Sequence, residues 1–268
     1  MTKIQWTEDT WNPVIGCTPV SEGCRNCYAA GDALRMGYNP RTAYYEGIAT
    51  RTATGRAVFT GLVKCLEDRL DQPSKWRDPR LVFVNSMSDL FHRDVPGSFI
   101  RRVFDTMAEC PRHTFQVLTK RPERMLELLS AHTPLPNVWI GVSAEDQGAA
   151  DHRIPLLLRT PAAVRFVSAE PLIGPVDLTP YLGGLGWVIV GGESGSRARP
   201  CDPAWLRNVV RQCAGAAVPC FVKQVGTRPV GIRVTDPKGG DPTEWPEDLR
   251  VREWPEATAV KGEQLCLI

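Results

Sequence analysis

Residues 81–143 read LVFVNSMSDLFHRDVPGSFIRRVFDTMAECPRHTFQVLTKRPERMLELLSAHTPLPNVWIGVS, and the alternation within this stretch decides the fold class. Three short runs, Leu81–Asn85, Thr114–Thr119 and Val138–Ser143, are rich in β-branched and aromatic residues and apolar on both faces. Strands covered by helices on both sides of a sheet have that pattern. Between them, Pro96-Gly97-Ser98 opens a run with Ile100, Val103, Phe104 and Met107 on one face. Pro122 stands at a first helical position before Met125, Leu126, Leu128 and Leu129.

The same alternation extends toward the C-terminus. Val164–Ser168, Trp187–Gly191 and Pro219–Lys223 are further strand-like runs, and Asp202-Pro203 caps a helix carrying Trp205, Leu206, Val209 and Cys213. The link over about 144–163 is a weaker helix, because Pro155 interrupts it. A strand near Asn12–Gly16 brings the count to about seven. Such alternation implies parallel pairing with right-handed crossovers. The expectation is an α/β fold, a partial or complete parallel (β/α) barrel of about six to seven strands, with a doubly wound open sheet as the alternative. The segment at about 38–80 reads as an irregular insertion ending in one helix, LVKCLEDRL. The tail at about 227–268, rich in Pro, Gly, Asp and Trp, reads as an irregular cap, and no linker divides the 268 residues into two domains.

Charge is nearly balanced at +2, too little to argue for nucleic-acid binding by bulk electrostatics, which leaves a local basic patch as the alternative. The opening MTKIQWTEDTWNP has no apolar leader, and no run is long enough for a membrane span, so a cytoplasmic protein is expected.

Nine cysteines require explanation. Six are scattered singly (Cys65, Cys110, Cys201, Cys213, Cys220 and Cys266) and read mostly as small buried hydrophobes. The other three fall in GCTPVSEGCRNCYAA as Cys17, Cys24 and Cys27. Cys24 and Cys27 form a C-x2-C pair, and Pro19 and Gly23 let the loop curl around a metal centre. Tyr28-Ala29-Ala30 and Asp32–Met36 begin a helix whose N-terminal dipole favours negative charge. A closed zinc site needs four ligands, so zinc requires a distant fourth such as Cys65, His92 or His113. A four-iron cluster on three cysteines keeps one iron open for a small molecule. The loop follows the first strand, on the face where βα barrels build active sites.

A cysteine triplet in that position resembles the radical S-adenosylmethionine (SAM) superfamily. The chain also resembles the phage Gp37/Gp68 proteins, a domain family of unassigned function, through WTEDTWNPVIGC, NSMSDLFH, VLTKRPERM, VWIGVSAE, RFVSAEPLIGPV, WVIVGGESG and CFVKQVG, from about residue 4 to 226. Radical SAM enzymes usually show C-x3-C-x2-C with an aromatic before the third cysteine. Here the first gap has six residues, Asn26 precedes Cys27, and Tyr28 follows it.

The resemblance implies a [4Fe-4S] cluster on Cys17, Cys24 and Cys27, with SAM as cofactor and an external electron donor. By that analogy Ser86, Ser88 and Asp89 hold the SAM amine, and Ser143 and Glu145 lie near the ribose. Ser168 and Glu170 are candidates for ribose or substrate. Gly191, Gly192 and Glu193 match the superfamily's GGE element in letters but sit on a later strand, so they are not equated with it; their glycines would let adenine or substrate approach the backbone. Lys120, Arg121 and Lys223 are candidates for a carboxylate or phosphate. Ser-x-Glu occurs twice, at 143–145 and 168–170, beyond what polar strand ends require. A different class, a barrel hydrolase, would use Glu145, Glu170 or Glu193 as acid and base. A third is a zinc- or cluster-stabilised binding module without radical chemistry. Arg41, Arg51 and Arg56, interleaved with Tyr38, Tyr44, Tyr45 and Phe59, make a nucleotide or nucleic acid a candidate partner.

Overall fold

The computed structural model describes residues 4–256. In chain order the elements are β1 (Asp9–Trp11), β2 (Val14–Ile15), α1 (Tyr28–Gly37), β3 (Ala49–Arg51), β4 (Ala57–Phe59), β5 (Lys64–Cys65) and β6 (Leu81–Val84). Then come α2 (Gly97–Glu109), β7 (Thr114–Thr119), α3 (Pro122–Leu129), β8 (Val138–Ser143) and α4 (Gln147–Arg159). β9 (Val164–Ala169), β10 (Trp187–Gly191), α5 (Pro203–Gly215) and β11 (Cys220–Gln224) complete the set.

Seven strands form one parallel sheet in the order β1-β6-β7-β8-β9-β10-β11. A doubly wound sheet reverses its strand order at a switch point. Here the order never reverses, so every crossover advances in the same direction and the sheet curls. The result is a half-barrel, open between β1 and β11. The tail covers the β11 edge: Val222 N–H donates to Val251 O (2.8 Å), and Glu253 N–H donates to Cys220 O (2.9 Å). Covering an edge strand in this way removes a template for pairing with another chain.

Three local expectations change. The first sheet strand is β1 at Asp9–Trp11, ahead of 12–16, where Val14–Ile15 instead pairs antiparallel with β5. LVKCLEDRL is not a helix: Lys64–Cys65 is drawn into that pairing, leaving only a short 3-10 turn at Glu67–Arg69. The 144–163 link is a full helix despite Pro155. Asp146 caps it by accepting from Ala149 N–H (2.8 Å). Pro155 and Asp151, whose carbonyl loses its helical partner, are both exposed, so the gap in the ladder lies on the solvent face and not in the core.

Two apolar cores lie on the two faces of the sheet. The outer one packs α2 through Ile100, Val103 and Met107, and α5 through Leu206, Val209 and Cys213, against alternate strand residues. The inner one fills the concave face with aromatics: Trp6, Phe83, Trp139, Phe166, Trp187 and Phe221. Trp139 and Trp187 meet edge to face at 5.7 Å. Gly141 is required here, since a Cβ would stand 2.6 Å from the Phe166 ring. Gly141→Ala is expected to cost about 1–3 kcal/mol through overpacking, read as a lower urea midpoint. An unchanged midpoint would contradict this packing. Among the described residues no helix is long and apolar enough to cross a membrane.

Candidate functional site

The chain from Asn12 to Cys27 crosses the mouth formed by the C-terminal ends of the strands, and four strand ends hold it there. After β6, the Ser86 hydroxyl (3.1 Å) and Met87 N–H (3.0 Å) donate to Asn12 Oδ1, and the Ser88 hydroxyl donates to Val14 O (2.8 Å). Gly16 has φ +89°, and a Cβ there would collide with the Leu62 carbonyl. After β7, Arg121 Nη2 donates to Thr18 O (2.9 Å) and Thr18 Oγ1 (2.7 Å). After β8, the Glu145 carboxylate accepts the Ser21 hydroxyl and packs on Gly23, where a Cβ would stand 2.7 Å from it. After β10, Glu193 accepts Asn26 Nδ2 (3.1 Å), while Arg199 pairs with Glu193 (2.7 Å) and donates to Glu22 O (3.1 Å).

The three thiols therefore sit on a loop fixed from several directions. None is in a disulfide, and all are partly buried. Burial, with the negative charge of Asp89, pushes Cys17 up to about 12, against the pull of Arg121. Burial also raises Cys27, opposed by the Ala30 and Ala29 amides at the start of α1 and reinforced by Cys24. Cys27 thus feels both of the other thiols. At neutral pH such thiols keep their protons unless positive charge replaces them.

Among the described residues, no three His, Cys, Asp or Glu side chains converge closely enough to hold a single metal ion. The suggested fourth zinc ligands are engaged elsewhere. His92 is buried, with Nε2 against Thr18 Oγ1 (2.8 Å) and Nδ1 accepting Asp94 N–H (3.2 Å). His113 is buried with Nε2 against Pro73 O (3.1 Å), and Cys65 packs on the outer core. Cys110, Cys201, Cys213 and Cys220 are buried, the first two and the last two alike serving as small apolar residues. Cys266 lies outside the described residues.

The carboxylates divide by duty. Glu145 has no exposed surface. Burial alone would raise it, but Lys120 (3.7 Å), Arg153 (2.8 Å) and the Ser21 hydroxyl outweigh that and hold it down at about 2. Arg153 comes from the buried face of α4, the helix that starts directly after Glu145, and also donates to Ser143 O (2.8 Å). Glu193 is also held low: burial opposes, but the Arg199 side chain and amide and Asn26 prevail. A general acid needs the reverse, a carboxyl raised toward neutrality. Asp89 accepts Phe91 N–H, Lys120 N–H (both 3.0 Å) and the Thr119 hydroxyl (2.7 Å). Glu170 pairs with Lys223 across β9 and β11.

Ser143 and Ser168 are buried register partners on β8 and β9, so the repeated Ser-x-Glu motifs lie side by side before their glutamates diverge. Gly192 packs against the Val225 carbonyl, so its missing side chain serves the approach of β10 to the chain beyond β11. Beside Cys27 opens a cleft of about 980 Å³, whose lining includes Tyr28, Arg51, Arg56 and Lys223. Arg41 is not part of that lining. Tyr45 is buried, with Tyr44 and Phe59 packed on its cluster, so of the insertion's aromatics Tyr38 alone is exposed among the large apolar side chains.

Sequence reasoning picked out the cysteines and most strand ends. It missed Ser21 and Asn26, whose partners are distant in the chain, and Arg153 and Arg199, whose spacing from Glu145 and Glu193 follows no single helical or strand period.

Fold and loop together define an α/β half-barrel carrying a cysteine triplet at its C-terminal mouth. The chain belongs to the family described as "Protein of unknown function (DUF5131)", whose family model matches residues 1–246. No curated protein and no solved structure matches the chain.

Proposed function

We propose that this chain is a radical SAM-type iron–sulfur enzyme, akin to the phage Gp37/Gp68 proteins that its motifs resemble. The observation that carries the reading is the placement of three unpaired thiols on one braced loop at the mouth of a curled parallel sheet. The donor set suits an iron–sulfur cluster. Three thiolates are the number that lets a four-iron cluster keep one iron open, whereas a closed zinc site needs four ligands. Arg121 supports the same reading: its guanidinium lies between Asp89 (3.8 Å) and Cys17, where its charge favours the thiolate. Cys17, Cys24 and Cys27 would hold the cluster and leave one iron for the amine and carboxylate of SAM. The chemistry such a cluster supplies when bound is one electron, delivered to SAM, whose reductive cleavage gives a 5′-deoxyadenosyl radical.

The chain's own residues have separate tasks. Arg121, Glu145 and Glu193 keep the loop in register with the strand ends, which preserves the spacing of the thiols. The inner aromatics close the concave face below the mouth and exclude water from it. Asn85 Nδ2, buried just past β6 without a partner, offers a donor to a small-molecule carboxylate. Lys223, pairing with Glu170 at the edge of the cleft, is a cation that an incoming anion can share. Ser143 and Ser168 supply polar groups between them for ribose hydroxyls.

The test is anaerobic reconstitution, chemical reduction and incubation with SAM, with chromatography for 5′-deoxyadenosine. Its formation in step with methionine is expected. Persistent absence with the cluster intact sinks the proposal, and stoichiometric zinc that survives air would favour a binding module instead.

A further inference from the structure

Beyond the large cleft, across Asn26, lies a second open recess of about 580 Å³, lined by Arg25, Asn26, Thr54, Arg56, Arg197 and Arg199. Four of these six are arginines and none is acidic, while the larger cleft adds Asp32, which pairs with Arg35 (2.9 Å), and Asp236 beside Lys223 and Lys238. The two hollows share Asn26, Arg56 and Arg197, so they form one continuous groove that runs past Cys27. Three separate segments supply the cations: the cysteine loop, the β3–β4 hairpin and the loop after β10.

The state of these guanidinium groups is informative. Arg199 is neutralised by Glu193, and Arg25 lies 3.5 Å from Glu22. Three others meet only main-chain carbonyls among the described residues. Arg51 Nη1 donates to Gly55 O (2.9 Å), Arg56 Nη1 to Arg25 O (3.2 Å) and Arg197 Nη2 to Thr54 O (2.7 Å). Arg56 Nε is buried without any partner. Carbonyl bonds orient a guanidinium without cancelling its charge, so like charges are held together at a cost that an anion relieves. The chain as a whole carries only +2, which makes this local excess a feature of the groove.

Size and shape select the anion. A single phosphate would occupy a small part of this volume and carries less charge than Arg51, Arg56 and Arg197 together. A chain of phosphates matches all three. In the same groove, next to Cys27, Tyr28 is 49% exposed, although its hydroxyl is anchored to Ser86 O (3.2 Å). An anchored, exposed ring beside a row of guanidinium groups matches the stacking platform and electrostatic track that grip single-stranded nucleic acid.

We propose that the substrate is single-stranded nucleic acid, its phosphates on Arg51, Arg56 and Arg197 and one base on Tyr28, which presents a nucleotide beside Cys27. This rests on the enzyme reading for the word substrate, but the binding itself does not require it.

The test is fluorescence anisotropy of a short labelled single-stranded oligonucleotide with the reconstituted full chain, titrated between about 50 and 200 mM salt. Arg51→Gln/Arg56→Gln/Arg197→Gln is expected to weaken binding tenfold or more and to flatten the log–log salt slope by about two. Tyr28→Leu is expected to weaken oligonucleotide binding by about tenfold and to leave competition by inorganic polyphosphate unchanged. The wild-type salt slope is a second measurement that needs no variant, and a slope near zero overturns the proposal. So does a triple variant that binds normally, or polyphosphate displacing the strand charge for charge with Tyr28→Leu silent. Loss of binding with SAM cleavage intact removes only the substrate class, whereas binding without cleavage removes only the radical chemistry.

Discussion

Glu145→Gln is expected to destabilise the protein by about 3 kcal/mol at neutral pH and to flatten its stability profile in acid. Glu145 is fully buried and Arg153 nearly so, so removing the carboxylate charge leaves a guanidinium desolvated without its counter-ion. Gln can still accept from Ser21, and Arg153 keeps its bond to Ser143 O, which holds the cost below the upper end for a broken buried pair. The pH dependence follows from the lowered carboxyl. It ionises near 2 in the folded state and near 4.5 without its partners. Between those values the unfolded chain binds more protons, so stability rises with pH across that window. Glu145 contributes in full above about 4.5, and its contribution, about 3 kcal/mol for a shift of this size, is lost as pH falls toward 2. Urea midpoints of wild type and variant should differ most at pH 6–7 and converge in acid. A difference that stays constant with pH would show that the pair is not what stabilises the loop.

The second large effect concerns the thiols. Cys17→Ala/Cys24→Ala/Cys27→Ala is expected to take iron from about four per chain after anaerobic reconstitution to below about one, and to abolish SAM cleavage. Thermal stability without iron should change little. The thiols are only partly buried, and Ser21, Gly23 and Asn26, which anchor the loop, remain. Cys65→Ala, on β5 and outside the loop, should retain full iron loading. A triple variant that kept its iron would overturn the assignment of the ligands. One that lost iron but kept an activity would move the chemistry to the carboxylates.

These two effects also divide what was readable from what was not. The apolar runs at Leu81, Thr114, Val138, Val164, Trp187 and Cys220 announce strands because burial on both faces leaves no polar position to break the pattern. The helices at Gly97, Pro122 and Pro203 announce themselves by period and by their opening prolines and caps. Short elements were misjudged where pairing with a distant strand overrode local preference, as with Lys64–Cys65. Ser86, Ser88, Asp89, Glu145 and Glu193 were legible as a polar ring at the mouth. That their bonds reach across to the cysteine loop was not. Ser21 and Glu145 are 124 residues apart, Asn26 and Glu193 are 167, and Arg199 and Glu22 are 177.

By itself, then, the sequence determined the α/β class, the parallel sheet and the cysteine triplet after its first strand, because periodicity and ligand spacing are properties of neighbouring residues. Only the tertiary structure decided that the sheet is a half-barrel, that two buried carboxylates brace the loop, and that three arginines from two distant segments share one groove. Each of those depends on charge and shape meeting across the fold, where attraction and desolvation follow distance in space and are blind to distance along the chain.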